Sequence, residues 1–168
     1  LWIGGRERVN PNANGNAGGF GIRKHWLDGD WASSLGSVVH WPYLRLSEVY
    51  LSYAEALNEA NGGPNAEAYA AINKVRNRVG LKNLPIGLSQ EEFRAAVLKE
   101  RACEFGYEEV RWFDLIRWKR ADVFQQKLHG VDTYKNEDGS FSYETFELPG
   151  RYWKDNWSPK WYLSAFPP

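Results

Sequence analysis

Between residues 41 and about 121, apolar positions recur at three- and four-residue steps, the period of an amphipathic helix, and the flanking stretches lose that period. Tyr50, Tyr53, Ala54 and Leu57 predict a first helix from about Pro42 to Ala60, stopped by Asn61-Gly62-Gly63-Pro64. Ala68, Ile72, Val75 and Val79 share one face of a second helix, and Gly80 stands where a left-handed C-terminal residue is needed before apolar Leu81. A third helix opens at Leu88-Ser89-Gln90-Glu91-Glu92-Phe93. Ser89 and Glu92 can satisfy each other's backbone N–H groups as a capping box, and Leu88 can pack on Phe93 as a staple. Residues 1–40 are rich in Gly, Asn, Asp and Ser, which predicts a long loop or short strands. In the tail, "VDTYKNEDGSFSYETF" sets two alternating β-prone runs about Asp138-Gly139, a hairpin signal, and the prolines of "WSPKWYLSAFPP" stop any later helix.

The predicted fold is therefore mainly α, with long loops and a small β-hairpin in the tail. It has a loop-rich segment (1–40), a helical region (41–121) and a hairpin and aromatic tail (122–168). The first two helices resemble a tetratricopeptide unit, Tyr50-x-x-Tyr53-Ala54-x-x-Leu57 followed by Ala66-x-x-x-Ala70, whose small residues at 54, 66 and 70 would let the helices approach closely. One copy is visible, and partner units would lie upstream. The chain begins at Leu1 within a Gly/Asn-rich run and contains no Met, which predicts a portion of a longer protein.

The stretch "ERACEFGYEEVRWFDLIRW" carries the densest chemistry. At 100° per residue, Glu100 and Glu104 follow Phe93 and Val97 toward the core, with Glu108 and Arg111 near the same direction if the helix passes Gly106. Unpaired charge is costly inside a protein, so arginines must meet these acids, and Arg45, Arg76, Arg78, Arg101 and Arg111 are the candidates. Glu100 and Glu104 are also spaced to suit a retaining glycosidase, whose carboxyl groups lie about 5 to 5.5 Å apart. Such an enzyme needs one acid protonated and a sugar between the pair. Two acids side by side on one helix among arginines fit a structural network better.

Composition removes other classes. Lys plus Arg equals Asp plus Glu at 21 each, so no global positive field attracts nucleic acid. Asp28-Gly29-Asp30 falls short of a calcium site, His25, His40 and His129 share no zinc-ligand spacing, and no metal or cofactor is predicted. Cys103, with no His nearby, reads as a buried or inert thiol. Nine Trp and nine Tyr can fill cores or stack on sugars. Trp26, Trp31, Trp153 and Trp157 lie outside the predicted helices and are the ligand-binding candidates, with core burial as the alternative for each.

"YLRLSEVYLSYAEALNEANG", "AYAAINKVRNRVGL" and "KERACEFGYEEVRWFDLIRW", with "GFGIRKHW" before them and "YLSAFPP" after, resemble in order and spacing the C-terminal half of SusD/RagB proteins, surface glycan-binding lipoproteins. The resemblance implies scaffold roles for Arg45, Glu48, Asn73, Arg76, Arg78, Glu100, Arg101, Glu104, Glu108, Arg111, Asp114 and Arg117. It also implies a non-catalytic protein, lipid-anchored at the outer membrane through an absent N-terminal segment. Such a protein would capture oligosaccharide for a SusC-like TonB-dependent transporter. Glu109 stands where that family usually has Gly, which puts a left-handed turn there in doubt. Two other readings remain open from the residues: a tetratricopeptide-type scaffold for a protein partner, and a glycoside hydrolase.

Overall fold

The computed structural model describes Lys24, residues 42–148 and residues 155–163. The expectations for the Gly/Asn-rich segment, including Trp26, Trp31, His25, His40 and the Asp28-Gly29-Asp30 turn, and for Trp153, lie outside the described residues. The described chain falls into two compact units divided between Asp114 and Leu115, and each is taken by itself.

The first unit is built on helices α1 (Leu46–Asn61), α2 (Ala66–Arg78) and α3 (Gln90–Glu104), with the start of α4 (Val110–Arg117). Leu51, Ala54, Ala68, Ala71, Ile72, Val75, Phe93, Val97 and Phe105 form its core. Helix α1 begins at Leu46 rather than at the predicted Pro42, because Arg45 stays extended (φ −139°, ψ 160°) and sends its guanidinium elsewhere. The small residues facing the core are Ala54, Ala68 and Ala71, while the predicted Ala66 and Ala70 are exposed. The reason is rotational: Ala68, Ile72 and Val75 set the inner stripe of α2, and position 71 joins it where 70 cannot. Val79, placed by its spacing on that stripe, lies past the end of α2 and is exposed.

The start signal of α3 works as the spacing predicts. Ser89 Oγ accepts the Glu92 N–H, and the Glu92 carboxylate accepts the Ser89 N–H. Three residues on one stripe of α2 hold the loop before it. Tyr69 Oη accepts the Leu88 N–H (3.0 Å), Asn73 Oδ1 accepts the Leu84 N–H (3.0 Å), and Arg76 Nε donates to the Lys82 carbonyl (2.9 Å). A loop that makes little backbone ladder of its own thus has two of its N–H donors and one carbonyl acceptor satisfied by side chains. Tyr69 also meets Phe93 edge-on, with ring centroids 5.0 Å apart.

Helix α3 ends at Glu104, and a tight turn precedes α4. Tyr107 and Glu109 both have φ of 62°. The left-handed turn doubted at Glu109 is therefore present despite the side chain, at a cost of roughly 1 to 2 kcal/mol for each such residue.

The second unit holds the end of α4, a short α5 (Ala121–Phe124), strands β1 (His129–Lys135) and β2 (Phe141–Glu147), and a 3₁₀ turn at Pro159–Tyr162. The strands pair antiparallel, with Thr133 opposite Tyr143. Gly139 (φ 84°) supplies the left-handed residue that closes the loop, and the Asn136 N–H reaches the Ser140 carbonyl at 2.9 Å. Gly130 is buried beneath the Phe146 ring, and a Cβ there would meet that ring at 2.4 Å.

Candidate functional site

Glu100 and Glu104 of α3 and Glu108 of the α3–α4 turn are met by arginines from α2 and from the residue before α1. Glu100, 7% exposed, receives Arg76 Nη1 at 2.6 Å. Glu104 binds Arg45 from the start of α1 and Arg78 from the end of α2, the latter at 2.7 Å. Arg45 also spans to Glu108 at 2.8 Å, donates to the Glu104 carbonyl at 2.7 Å and lies over the Phe105 ring. Arg101 meets Asp114 at 2.8 Å, with Ser52 Oγ as a further acceptor. Arg111 contributes a long bond to the Leu98 carbonyl, 3.5 Å. Every predicted member of the network is thus placed within one unit.

Electrostatics follow from this matching. Burial works against the Glu104 charge, but hydrogen bonds from Arg45 and Ser47 and attraction to Arg45 and Arg78 outweigh it and hold the carboxyl below its ordinary range. Burial likewise opposes the Arg45 charge, and the bonds to Glu108 and Glu104 outweigh it, so that pKa rises. A carboxyl held ionised cannot serve as the proton donor that glycoside cleavage requires. The Arg45–Glu104–Glu108 link, which joins α1 to the α3–α4 turn, is chemically a clasp.

A second polar cluster escaped the sequence reading. Asn58 is fully buried, donates through Nδ2 to Glu59 and to the Gln90 carbonyl (3.0 Å), and leaves its Oδ1 without a partner. Glu59 is gripped by Arg94, which lowers its pKa through that hydrogen bond despite partial burial. The signal was available: Asn58 stands four residues after Ala54, on the same inner stripe.

Beside α3 lies a groove of about 510 Å³, floored by Leu81, Leu84, Pro85 and Leu88, with the Arg76–Glu100 pair and Cys103 along it. Cys103 is exposed, which removes the buried alternative of the buried-or-inert thiol, because it lies off the Phe93–Val97 stripe. Among the described residues, its lining joins this aliphatic floor and Ala96 to the charged side chains of Arg76, Glu92, Lys99 and Glu100, and holds no aromatic ring.

Of the four Trp candidates, Trp157 alone is described. It lies flat on Phe124 (centroids 4.3 Å apart, planes 7° from parallel) and edge-on to Tyr162 at 5.1 Å. One ring face is therefore taken by Phe124. Among the described residues of that unit, the exposed aromatics are Phe141 and Tyr143 on β2, which the sequence marks only as hairpin positions.

The first unit is thus a helical hairpin and a third helix clasped by arginine–carboxylate pairs, in a mostly helical chain. The profile of the SusD family matches residues 1–162, and the chain belongs to that family. It is 36% identical over 115 residues to SusD-like protein P2 of Formosa agariphila, covering 64% of this chain and 22% of that protein. With SusD-like protein P25 of the same organism it shares 47% identity over 77 residues, 44% of this chain and 14% of that one. A crystal structure of a SusD-like protein from Bacteroides fragilis superposes with a TM-score of 0.60 at 32% identity, over 77% of this chain and 24% of the other. The chain thus spans about a fifth of the length of relatives such as P2.

Proposed function

We propose that the protein is a cell-surface glycan-binding protein that captures oligosaccharide without cleaving it and passes it to a SusC-like TonB-dependent transporter. It would work at the outer membrane, held there by a lipid anchor. Membership of the SusD family over residues 1–162 is the observation that carries this reading. The chemistry of the helical unit agrees with it. Its carboxylates at 100, 104, 108 and 114 each meet an arginine, and Glu104 is held ionised, so the best-placed acids are committed to the scaffold.

Incubation of the intact protein with candidate glycans, followed by chromatographic separation of the products, tests the non-catalytic part. Intact glycan should be recovered. Shorter sugars, lost on Glu100→Gln or Glu104→Gln, would restore the hydrolase reading.

The aliphatic groove beside α3 favours a second reading, a scaffold that seats an apolar segment of a protein partner. Leu84→Asp should then abolish copurification of that partner while glycan binding is retained.

A further inference from the structure

We propose that the groove between α3 and the 81–88 loop seats an amphipathic helix of a protein partner, with an acidic residue of that helix held against Lys99. This rests on the partner-scaffold reading above and names the chemistry of what that scaffold takes.

The lining of the groove comes wholly from the first unit. One wall is a single stripe of α3, where Glu92, Ala96, Lys99 and Cys103 follow one another at steps of four, three and four residues. Ala96 and Cys103 are the small members of that stripe, two turns or about 10.5 Å apart along the axis. Small residues at that spacing leave hollows into which the side-chain ridge of a second helix fits. The other wall is aliphatic. Leu84 and Leu88 pack from it against the core, while Leu81 remains 47% exposed at the edge. A sugar is poorly served by a lining without an aromatic ring, and the aliphatic stripe of a helix is well served by it.

The polar groups of the groove set what else that helix carries. Both acids are committed: Glu100 is paired with Arg76, and Glu92 holds the Ser89 N–H and hydroxyl in the capping box. The cations keep capacity to spare. Arg76 spends Nε on the Lys82 carbonyl and Nη1 on Glu100, which leaves Nη2 open among the described residues. Lys99 meets no acid among them, since Ala95, Ala96, Ala102 and Cys103 fill the positions three and four residues away where a helical ion pair forms. A carboxylate beside the partner's apolar stripe gives this end of the groove the charged contact it lacks. A second copy of the chain does not bring one on α1, whose exposed stripe runs Leu46, Val49, Tyr53, Ala56 and Ala60.

The test is selection on the intact protein from a library of helical peptides, aliphatic at i, i+3 and i+7 and randomised between, with the rate of maleimide alkylation at Cys103 as the measure of occupancy. Mass mapping assigns the label to Cys103, and thermal melts verify the folding of each variant. Selected peptides should carry Asp or Glu beside the apolar stripe and should slow the alkylation. Lys99→Glu should weaken their binding about fivefold, the loss of one exposed ion pair, and exchange of the peptide's acid for Lys should restore it. Leu81→Asp, which sets a charge on the aliphatic wall, should weaken binding at least as much. Peptides that protect Cys103 without preference for an acid and ignore Lys99→Glu would overturn the proposal and leave the partner-scaffold reading standing. Failure of every peptide to slow the alkylation would remove that reading, and the proposal with it. If alkylation slows with rising protein concentration and no peptide, a second copy fills the groove and the proposal is wrong.

Discussion

Arg101 and Asp114 meet at 2.8 Å with side chains only 5% and 2% exposed, which ties α3 to α4 through an ion pair shut off from water. Removing Asp114 leaves the buried Arg101 charge with only the Ser52 hydroxyl and the more distant Glu48 carboxylate, 4.0 Å away. Asp114→Ala should lower unfolding stability by about 3 to 5 kcal/mol, whereas replacing the pair together by apolar residues of similar volume should cost far less. Urea melts of the single and double variants give the comparison, and equal losses would show that the site hydrates freely.

Acid should loosen the clasp at the start of α1. The folded Glu104 pKa lies below its ordinary value of 4.5, so the native state prefers the ionised form more than the unfolded chain does. The stabilisation is fully present above that ordinary value and is lost as pH falls through the lower folded one. Melting temperature should drop on acidification below about pH 4.5, and Glu104→Gln should flatten that part of the profile. A parallel profile for the variant would assign the acid sensitivity to other carboxylates, such as Glu59 and Asp122, whose pKa values are lowered too.

Glu109 adopts φ of 62° with a side chain exposed to solvent. Glu109→Gly should therefore stabilise the protein by up to about 1 kcal/mol, the relieved left-handed strain less the extra freedom of glycine in the unfolded chain. Calorimetry decides the sign, and a lowered melting temperature would mean that the Glu109 side chain contributes a bond worth more than the strain.

The Phe146 ring leaves no room at Gly130, whereas nothing lies within 4 Å of a Cβ at Gly63. Gly130→Ala should cost about 1 to 3 kcal/mol by forcing the ring aside, and Gly63→Ala should be nearly silent. Amide exchange confined to 129–147 is the readout, since the damage should stay within the hairpin.

What was legible in the sequence is what local chemistry decides. Ser89 and Glu92 announce a helix start because both partners of the capping box lie within one turn, and Asp138-Gly139 announces a hairpin because few other residues take the left-handed closure. The inward acids were equally readable, since a charge on an apolar stripe demands a partner, and the arginines at 45, 76, 78 and 101 supplied it. What escaped depends on distant partners or on helix rotation. Ala71 replaces Ala70 in the core through one residue's turn of α2, and Asn58 finds the Gln90 carbonyl 32 residues away. Glu109 takes a left-handed turn that glycine would take more easily, so its residue type argues against the conformation it adopts. The Trp candidates were chosen for lying outside helices, and that says nothing about which ring face is free. Trp157 has one face against Phe124, while Tyr143, passed over, stands in solvent.

Isothermal titration of the intact protein with neutral oligosaccharides, in low and in high salt, tests the glycan-capture reading most directly. The account predicts saturable binding whose affinity barely changes with salt, because ring stacking and hydroxyl hydrogen bonds carry little net charge. Absence of heat with every neutral glycan, or binding to polyanions alone that salt abolishes, would contradict it.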